Sequence, residues 1–161
     1  MNATTEKTGV EQATKGGTVR FHRVLRAKPE MVFKAFVTPD ALARWLPPRG
    51  YTCSVHSIDA TKGGSFRMSF TEFASGNSHS FGGEYVDFEP GKRLSYTDKF
   101  DDPNLPGMMV TTITFNKVPM GTEINIVQEG IPDVIPLDAC YLGWQDSLMF
   151  LGLLVEGENA R

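Results

Sequence analysis

The sequence predicts one α+β domain in which a curved antiparallel sheet of seven strands wraps around a long C-terminal helix. Three observations predict this fold. A strand-like segment is followed by two short helical segments, and residues 51–129 then form six strand-like runs between turns. The last segment carries apolar side chains at helical spacing. With 161 residues, the chain has the length of one domain with a large core.

Composition and charge argue against several classes of protein. Sixteen Lys and Arg against nineteen Asp and Glu give a net charge of −3, which does not favour nucleic acid or a polybasic membrane anchor. The most continuous apolar run, Leu148–Val155, is far shorter than the roughly 18 to 20 residues of a membrane-spanning helix. Cys53 and Cys140 are far apart, so we expect two reduced thiols in a cytoplasmic protein. Residues 1–16 are expected to form a disordered polar tail without a targeting signal.

The first elements are predicted to be one strand and two short helices. Apolar side chains alternate with others over Thr18–Leu25, which is typical of a strand. A helix is expected over Pro29–Val37, because proline fits the first helical turn. Thr38 precedes another proline and is expected to cap a second helix. Pro47 cannot continue that helix, so the helix should end before it.

The middle of the chain is predicted to be an antiparallel meander of six strands. Its turns contain glycine or proline, which supply the backbone angles that tight turns need. Glu89–Lys92 is expected to form a type II turn, and Asp101–Gly107 is too long for a tight hairpin and should protrude as a loop. The paired glycines at 63–64 and 82–83 are expected to bend the sheet. The remaining predicted turns are Lys62-Gly63-Gly64, Ser75-Gly76-Asn77 and Pro119-Met120-Gly121.

The last element is predicted to be a helix from Pro136 to Glu156 that packs on the sheet. Its apolar stripe repeats at spacings of three and four residues. The opposite side of the helix is also apolar, at Leu142, Met149 and Leu153. We therefore expect that a second copy of the chain could pack against this side and form a homodimer. The stripe that should face the sheet consists of Leu137, Tyr141, Trp144, Leu148, Leu151 and Val155.

This order of elements resembles the helix-grip fold of START-like lipid-transfer domains and birch-pollen-allergen-like proteins, the SRPBCC superfamily. Within it, the local motifs are similar to the branch related to the activator of the ATPase of the ninety-kilodalton heat-shock chaperone. The match extends from about Thr18 to Glu156. Four motifs carry the resemblance: Pro29–Phe36 with Ala43–Trp45, the glycine pair in Gly63–Arg67, the turn and strand Glu89–Thr97, and Gly143–Leu148 in the last helix.

The resemblance implies a single START-like domain over residues 17–157 with a cavity between sheet and helix. In relatives such a cavity holds apolar or aromatic small molecules, including lipids. Only a polar segment precedes the first strand, so we expect the domain to act without the N-terminal chaperone-binding domain of the eukaryotic activator. A small apolar or aromatic ligand is therefore the first hypothesis. A chaperone-associated interaction module linked to the stress response, and a cyclase- or hydrolase-like enzyme for a polycyclic substrate, are the alternatives.

Strand alternation indicates which side chains could line the cavity, since residues two apart on a strand share a face. Aromatic rings and methionines with a few hydroxyls suit a flat apolar ligand. The same side chains could instead fill a closed core. The predicted ligand-binding residues are Trp45, Phe66, Met68, Phe70, Phe81, Tyr85, Tyr96, Met109, Thr111, Tyr141, Trp144 and Leu148.

No catalytic residue, metal ligand or cofactor is predicted from the motifs. The three histidines stand alone in their strands without the spacing of zinc ligands. His22 or His56 could act as a base only if it faced the cavity beside a suitable partner. Neither cysteine has a partner motif for nucleophilic catalysis, and phosphate-binding loops do not occur. Glu84, Arg67 and Arg93 lie in strand runs, and the alternation predicts that both arginines face solvent.

Overall fold

The structure is a computed structural model that describes residues 16–159. Apart from Gly16, the predicted polar tail lies outside the described residues. The element order is that expected from the sequence, with two short helices after the first strand and one long helix at the end. The elements are β1 (Gly17–Leu25), α1 (Pro29–Val37), α2 (Pro39–Trp45), β2 (Tyr51–Ile58), β3 (Ser65–Glu72), β4 (Ser78–Glu89), β5 (Arg93–Phe100), β6 (Met109–Val118), β7 (Gly121–Ile131) and α3 (Leu137–Asn159).

The seven strands form one antiparallel sheet in the order β1-β7-β6-β5-β4-β3-β2. Strands β2 to β7 form a meander, whereas β1 pairs with β7 at the far edge. Helices α1 and α2 connect the two edge strands, and α3 packs against β1, α1 and α2. The predicted α+β helix-grip architecture is therefore confirmed, and the face of the sheet that meets α3 contains the core.

Helices α1 and α2 are held by a cluster of aromatic rings. Trp45 is completely buried, its Nε1 donates a hydrogen bond to the Ala35 carbonyl oxygen at 2.9 Å, and its ring meets Phe36 edge-on at 4.8 Å. The bounds of α1 are as predicted, but Thr38 does not cap α2. Its hydroxyl donates to the Lys34 carbonyl oxygen at 2.6 Å and so completes the end of α1 instead.

The predicted turn chemistry is found at Glu89–Lys92. The Lys92 N–H donates to the Glu89 carbonyl oxygen at 2.9 Å, and Gly91 has a φ of 75°, as the third position of a type II turn requires. Residues 101–107 form an irregular, mostly exposed loop between β5 and β6, as expected. This turn and this loop lie at opposite ends of β5.

Gly83 lies so close to β5 that a side chain there would collide with the Thr97 carbonyl oxygen. The β4–β5 register shifts between Tyr85 and Asp87, so a β-bulge lies a few residues along β4 from this glycine. That the glycine pair bends the sheet stays a prediction. Gly83→Ala is expected to lower the free energy of unfolding by about 1–3 kcal/mol. In contrast, a Cβ at Gly152 in α3 meets only ordinary contacts of 3.8 Å. Gly152→Ala should therefore raise stability by about 0.5–1 kcal/mol. Urea unfolding of both variants checks the opposite signs, and a loss of stability in both would contradict this account of Gly83.

The long helix α3 presents its predicted stripe to the sheet along most of its length. Leu148, Leu151 and Val155 are buried, Tyr141 and Trp144 are half-buried, and Leu137 in the first turn is exposed. The opposite side is exposed as predicted: Leu142 at 64%, Met149 at 44% and Leu153 at 69%. Leu137 is 40% exposed, but its side chain lies against Gly17 of β1, so the first turn of the stripe also meets the sheet.

Candidate ligand-binding cavity

A cavity of about 280 Å³ lies between the sheet and the N-terminal half of α3. Side chains from α1 and α2, from β3 to β7 and from α3 line it, so most of the domain contributes to its wall. The wall is largely apolar and contains nine aromatic residues besides one histidine. They are Phe36, Trp45, Phe66, Phe70, Phe81, Tyr85, Tyr96, Phe100 and, from the helix side, Trp144 of α3.

One end of the cavity is closed and the other is accessible. At the closed end Phe36, Trp45 and Phe66 are buried to 96% or more. At the other end Ile135 is half-buried and Ala139 is exposed. Phe70, His79 and Phe100 are also only partly buried, and they come from the same end of β3, β4 and β5. The entrance therefore lies beside the 101–107 loop and the segment that joins β7 to α3.

A chain of hydrogen bonds beside the cavity links the helix to the sheet. Trp144 Nε1 donates to Gln128 Oε1 at 2.9 Å, and Gln128 Nε2 donates to Thr111 Oγ1 at 3.3 Å. A hydrogen bond from Thr111 lowers the pKa of Tyr96, but burial dominates and raises that pKa well above its ordinary value. These polar groups therefore satisfy one another within the wall.

Asp98 of β5 is the carboxyl group of the cavity wall. Its Oδ1 is inaccessible and has no hydrogen-bond partner among the described residues. Burial raises the pKa of Asp98 to about 7, although a backbone hydrogen bond from Lys99 works in the opposite direction. Desolvation disfavours the charged form of a carboxyl group and is the largest cause of this shift.

The structure brings together nine of the twelve predicted residues in this wall. The predictions for Thr111, Tyr141 and Leu148 differ from the structure. Thr111 is fully buried behind Gln128, Leu148 lies in the packed core, and Tyr141 is turned toward β1, where its ring meets Phe21 at 5.2 Å. That the other nine bind a ligand stays a prediction; they are Trp45, Phe66, Met68, Phe70, Phe81, Tyr85, Tyr96, Met109 and Trp144.

Sequence reasoning missed Ser147 of α3 and three polar strand residues of the wall: His79, Asp98 and Gln128. Asp98 has a clear signal, because it lies two residues after Tyr96 and must share its face of β5. His79 shares the face of Phe81 by the same rule. Gln128 follows Ile126 at the same spacing on β7, so alternation could have found all three.

The histidines named as possible bases do not face the cavity. His22 Nε2 lies 2.9 Å from Glu123 Oε2 on the exposed side of β1 and β7. His56 lies beside Ser69 Oγ at 2.6 Å and is exposed, on the opposite face of β2 from Cys53 and Val55, which pack against the core. His79 is the histidine that faces inward; its ring lies 5.9 Å from Phe100 and 6.0 Å from Phe70.

Both arginines considered as anchors face solvent, as predicted. Arg67 Nη1 donates to Asp101 Oδ1 at 3.0 Å, and Arg93 Nε donates to Asp87 Oδ2 at 2.7 Å. The Arg67 guanidinium lowers the pKa of the Asp101 carboxyl. Glu84 is exposed as well.

The two cysteines are free thiols. Burial raises the pKa of Cys53 to about 11 and that of Cys140 above its ordinary value, so both thiols are protonated near neutral pH. Cys140 lines the cavity.

In residues 16–159, no group of three or more His, Cys, Asp or Glu side chains could hold a metal ion. No helix in the same residues is long and apolar enough to span a membrane.

A single antiparallel sheet folded around a C-terminal helix, with an apolar cavity between them, defines a helix-grip protein of the START-like class. Residues 26–156 match the family described as Activator of Hsp90 ATPase homolog 1-like protein. The chain belongs to this family. None of the curated proteins compared with the chain matches it.

Solved structures agree with this assignment. A crystal structure of a protein from Chromobacterium violaceum is 56% identical, with a TM-score of 0.86, and the match covers 86% of this chain and 96% of that one. A solution structure of an AHSA1-like protein from Aeromonas hydrophila is 20% identical, with a TM-score of 0.72, and covers 90% and 96%. A crystal structure of a Rhodobacter sphaeroides protein is 23% identical, with a TM-score of 0.77, and covers 89% and 95%. The last two show the fold alone.

Proposed function

We propose that this protein binds a small molecule with a flat apolar body in the cavity between the sheet and α3. The observation that carries the proposal is a volume of about 280 Å³ behind an accessible entrance. A cavity of about 150 Å³ in another protein holds benzene, so this one has room for about two fused rings. The aromatic wall offers flat contact surfaces, and the half-buried phenylalanine side chains near the entrance can adjust to a ligand.

A neutral bicyclic probe, 2-naphthalenemethanol, tests this proposal by titration calorimetry. We expect saturable 1:1 binding with a dissociation constant of about 10–100 µM, because the ligand is small and its contacts are mainly apolar. Cys140→Phe places a ring in the cavity and should weaken binding at least tenfold. Leu142→Phe adds a ring on the exposed side of the same helix and should leave binding unchanged. The absence of saturable binding to the folded wild-type protein would contradict the proposed function.

Native mass spectrometry of the purified protein complements the titration. We expect a co-purifying apolar or aromatic compound that is released on denaturation.

The alternative hypothesis, an enzyme, requires an acid or base that faces the cavity. Asp98 lies in the cavity wall and meets this one requirement. Incubating the released compound with fresh protein separates the two functions: a change in its mass would favour catalysis, and an unchanged compound would favour binding alone.

A chaperone-associated function is the second alternative, and the family membership supports it. The test is the ATPase rate of a ninety-kilodalton heat-shock chaperone with and without this protein. Stimulation would favour the interaction module, whereas an unchanged rate together with probe binding would leave ligand binding as the function.

We further propose that residues 17–157 form one domain. We also propose that the protein is cytoplasmic, and the two free thiols support this location.

A homodimer through the outer side of α3 is expected from its exposed apolar strip, Leu142, Met149 and Leu153. Sedimentation velocity should give the mass of two chains, and Leu153→Asp should shift the protein to a monomer because it would place a charge in the interface. A wild-type monomer at high protein concentration would contradict this prediction.

A further inference from the structure

Asp98 lies between two aromatic pairs of neighbouring strands. On one side Phe81 pairs with Phe100, with ring centroids 6.4 Å apart; on the other side Tyr85 pairs with Tyr96 at 6.2 Å. Across the sheet in the other direction, Asp98 pairs with Met109. A single carboxyl group is therefore surrounded by four rings and a thioether within the cavity wall.

The carboxyl of Asp98 differs from the other polar groups of the wall in its hydrogen bonding. Trp144, Gln128 and Thr111 are linked to one another. Asp98 Oδ1 is the one buried side-chain nitrogen or oxygen atom of the described residues that lacks a partner. A buried carboxyl oxygen left in this state is unfavourable, and a donor that enters the cavity would relieve the penalty.

We infer that the cavity binds a cationic amine with a flat apolar body, whose ammonium group donates hydrogen bonds to Asp98 while its rings lie among the aromatic side chains. This inference rests on the proposed function and specifies its ligand class. A carboxylate and an ammonium form a charge-assisted hydrogen bond, which is stronger than one between neutral groups. The faces of the surrounding rings attract a cation as well. An anionic ligand such as a carboxylic acid would meet repulsion from Asp98 at the same place.

Three naphthalene derivatives of equal size test the inference at pH 8, where the amine is protonated. We expect 2-naphthylmethylamine to bind at least tenfold more tightly than 2-naphthalenemethanol, and 2-naphthoate to bind more weakly than the alcohol. In Asp98→Asn the advantage of the amine over the alcohol should disappear. Glu84→Gln removes an exposed negative charge from the outer face of β4 and serves as the control, in which the preference for the amine should remain.

The pH dependence provides a second measurement. Because the pKa of Asp98 is about 7, its carboxyl group is mostly protonated at pH 6 and mostly ionised at pH 8. The affinity for the amine should therefore fall about tenfold from pH 8 to pH 6. The alcohol should show no such change. His79 would repel the amine when protonated, but this effect persists in Asp98→Asn, so the difference between the two proteins isolates Asp98. The remaining titratable groups of the wall are Tyr85 on β4, Tyr96 on β5 and Cys140 on α3; β6 and β7 contribute the uncharged Met109 and Gln128.

The outcomes separate this inference from the proposed function. Equal affinities for amine and alcohol, or a preference that survives in Asp98→Asn, would overturn the amine inference while the cavity remains a binding site. Failure of all three compounds to bind the folded protein would overturn both.

Discussion

Asp98→Asn is expected to stabilise the protein by about 3–4 kcal/mol at pH 8. The pKa of Asp98 is about 7 in the folded protein, against about 4 in an unfolded chain, and each pKa unit corresponds to about 1.4 kcal/mol. Between these values the folded state holds a proton that the unfolded state releases. The contribution of this carboxyl to stability is therefore complete below about pH 4 and is lost as the pH rises through 7. An amide cannot ionise and avoids this loss.

Urea unfolding of the wild type and of Asp98→Asn from pH 4 to pH 8 measures this effect. The difference between the two proteins should be small at pH 4, grow between pH 4 and 7, and then level off. Other titrating groups are common to both proteins and largely cancel in the difference. Asp133→Asn, at an exposed position, should show no such profile. A difference that does not change with pH would contradict the raised pKa.

The same carboxyl therefore connects stability with binding. A group that destabilises the folded protein at neutral pH and lies in a cavity is typical of a functional site rather than of a structural one. An amine bound to Asp98 would also favour the ionised carboxylate and lower its pKa. Amine binding and the stability gain of Asp98→Asn are thus independent measurements of the same carboxyl group.

Trp45→Ala is expected to lower the free energy of unfolding by about 3–5 kcal/mol. Trp45 is completely buried, so its removal leaves a large void at the closed end of the cavity. The change also removes the edge contact with Phe36 and leaves the Ala35 carbonyl oxygen without the indole donor. Few single substitutions of a domain this size cost as much.

Phe73→Ala is the matched control, because it truncates an aromatic side chain that is 81% exposed. Its effect should stay within about 0.5 kcal/mol. Urea unfolding monitored by far-UV circular dichroism compares the two variants without relying on tryptophan fluorescence. A loss in Trp45→Ala no larger than that in Phe73→Ala would show that the closed end can collapse around the void.

Much of the fold could be predicted because its signals are local. Proline at the start of α1 and α2, the Glu89–Lys92 turn and the apolar stripe of α3 all act within a few residues. Strand alternation likewise assigned Phe66, Met68 and Tyr96 to the inner face. These signals need no knowledge of which strands are neighbours.

The rest of the site depends on long-range packing. Strand alternation cannot show that Gln128 lies between Thr111 and the cavity, because this arrangement depends on how β6, β7 and α3 pack together. The register shift in β2 that turns Ile58 rather than Ser57 toward the core has no clear sequence signal. Asp98 has the right spacing for the inner face, but charged residues in strands usually face solvent, and its lack of a partner depends on the residues of neighbouring strands.

The pairing of β1 with β7 has a consequence for the order of events during synthesis. Phe21 of β1 pairs with Ile126 of β7, which comes much later in the chain. The first strand therefore leaves the ribosome long before β7, its neighbour in the described sheet, has been made. The meander from β2 to β7 contains local pairings and can assemble as it emerges. The strand made first is therefore the last to be paired, and until then Val19 and Phe21 remain in water on a nascent chain.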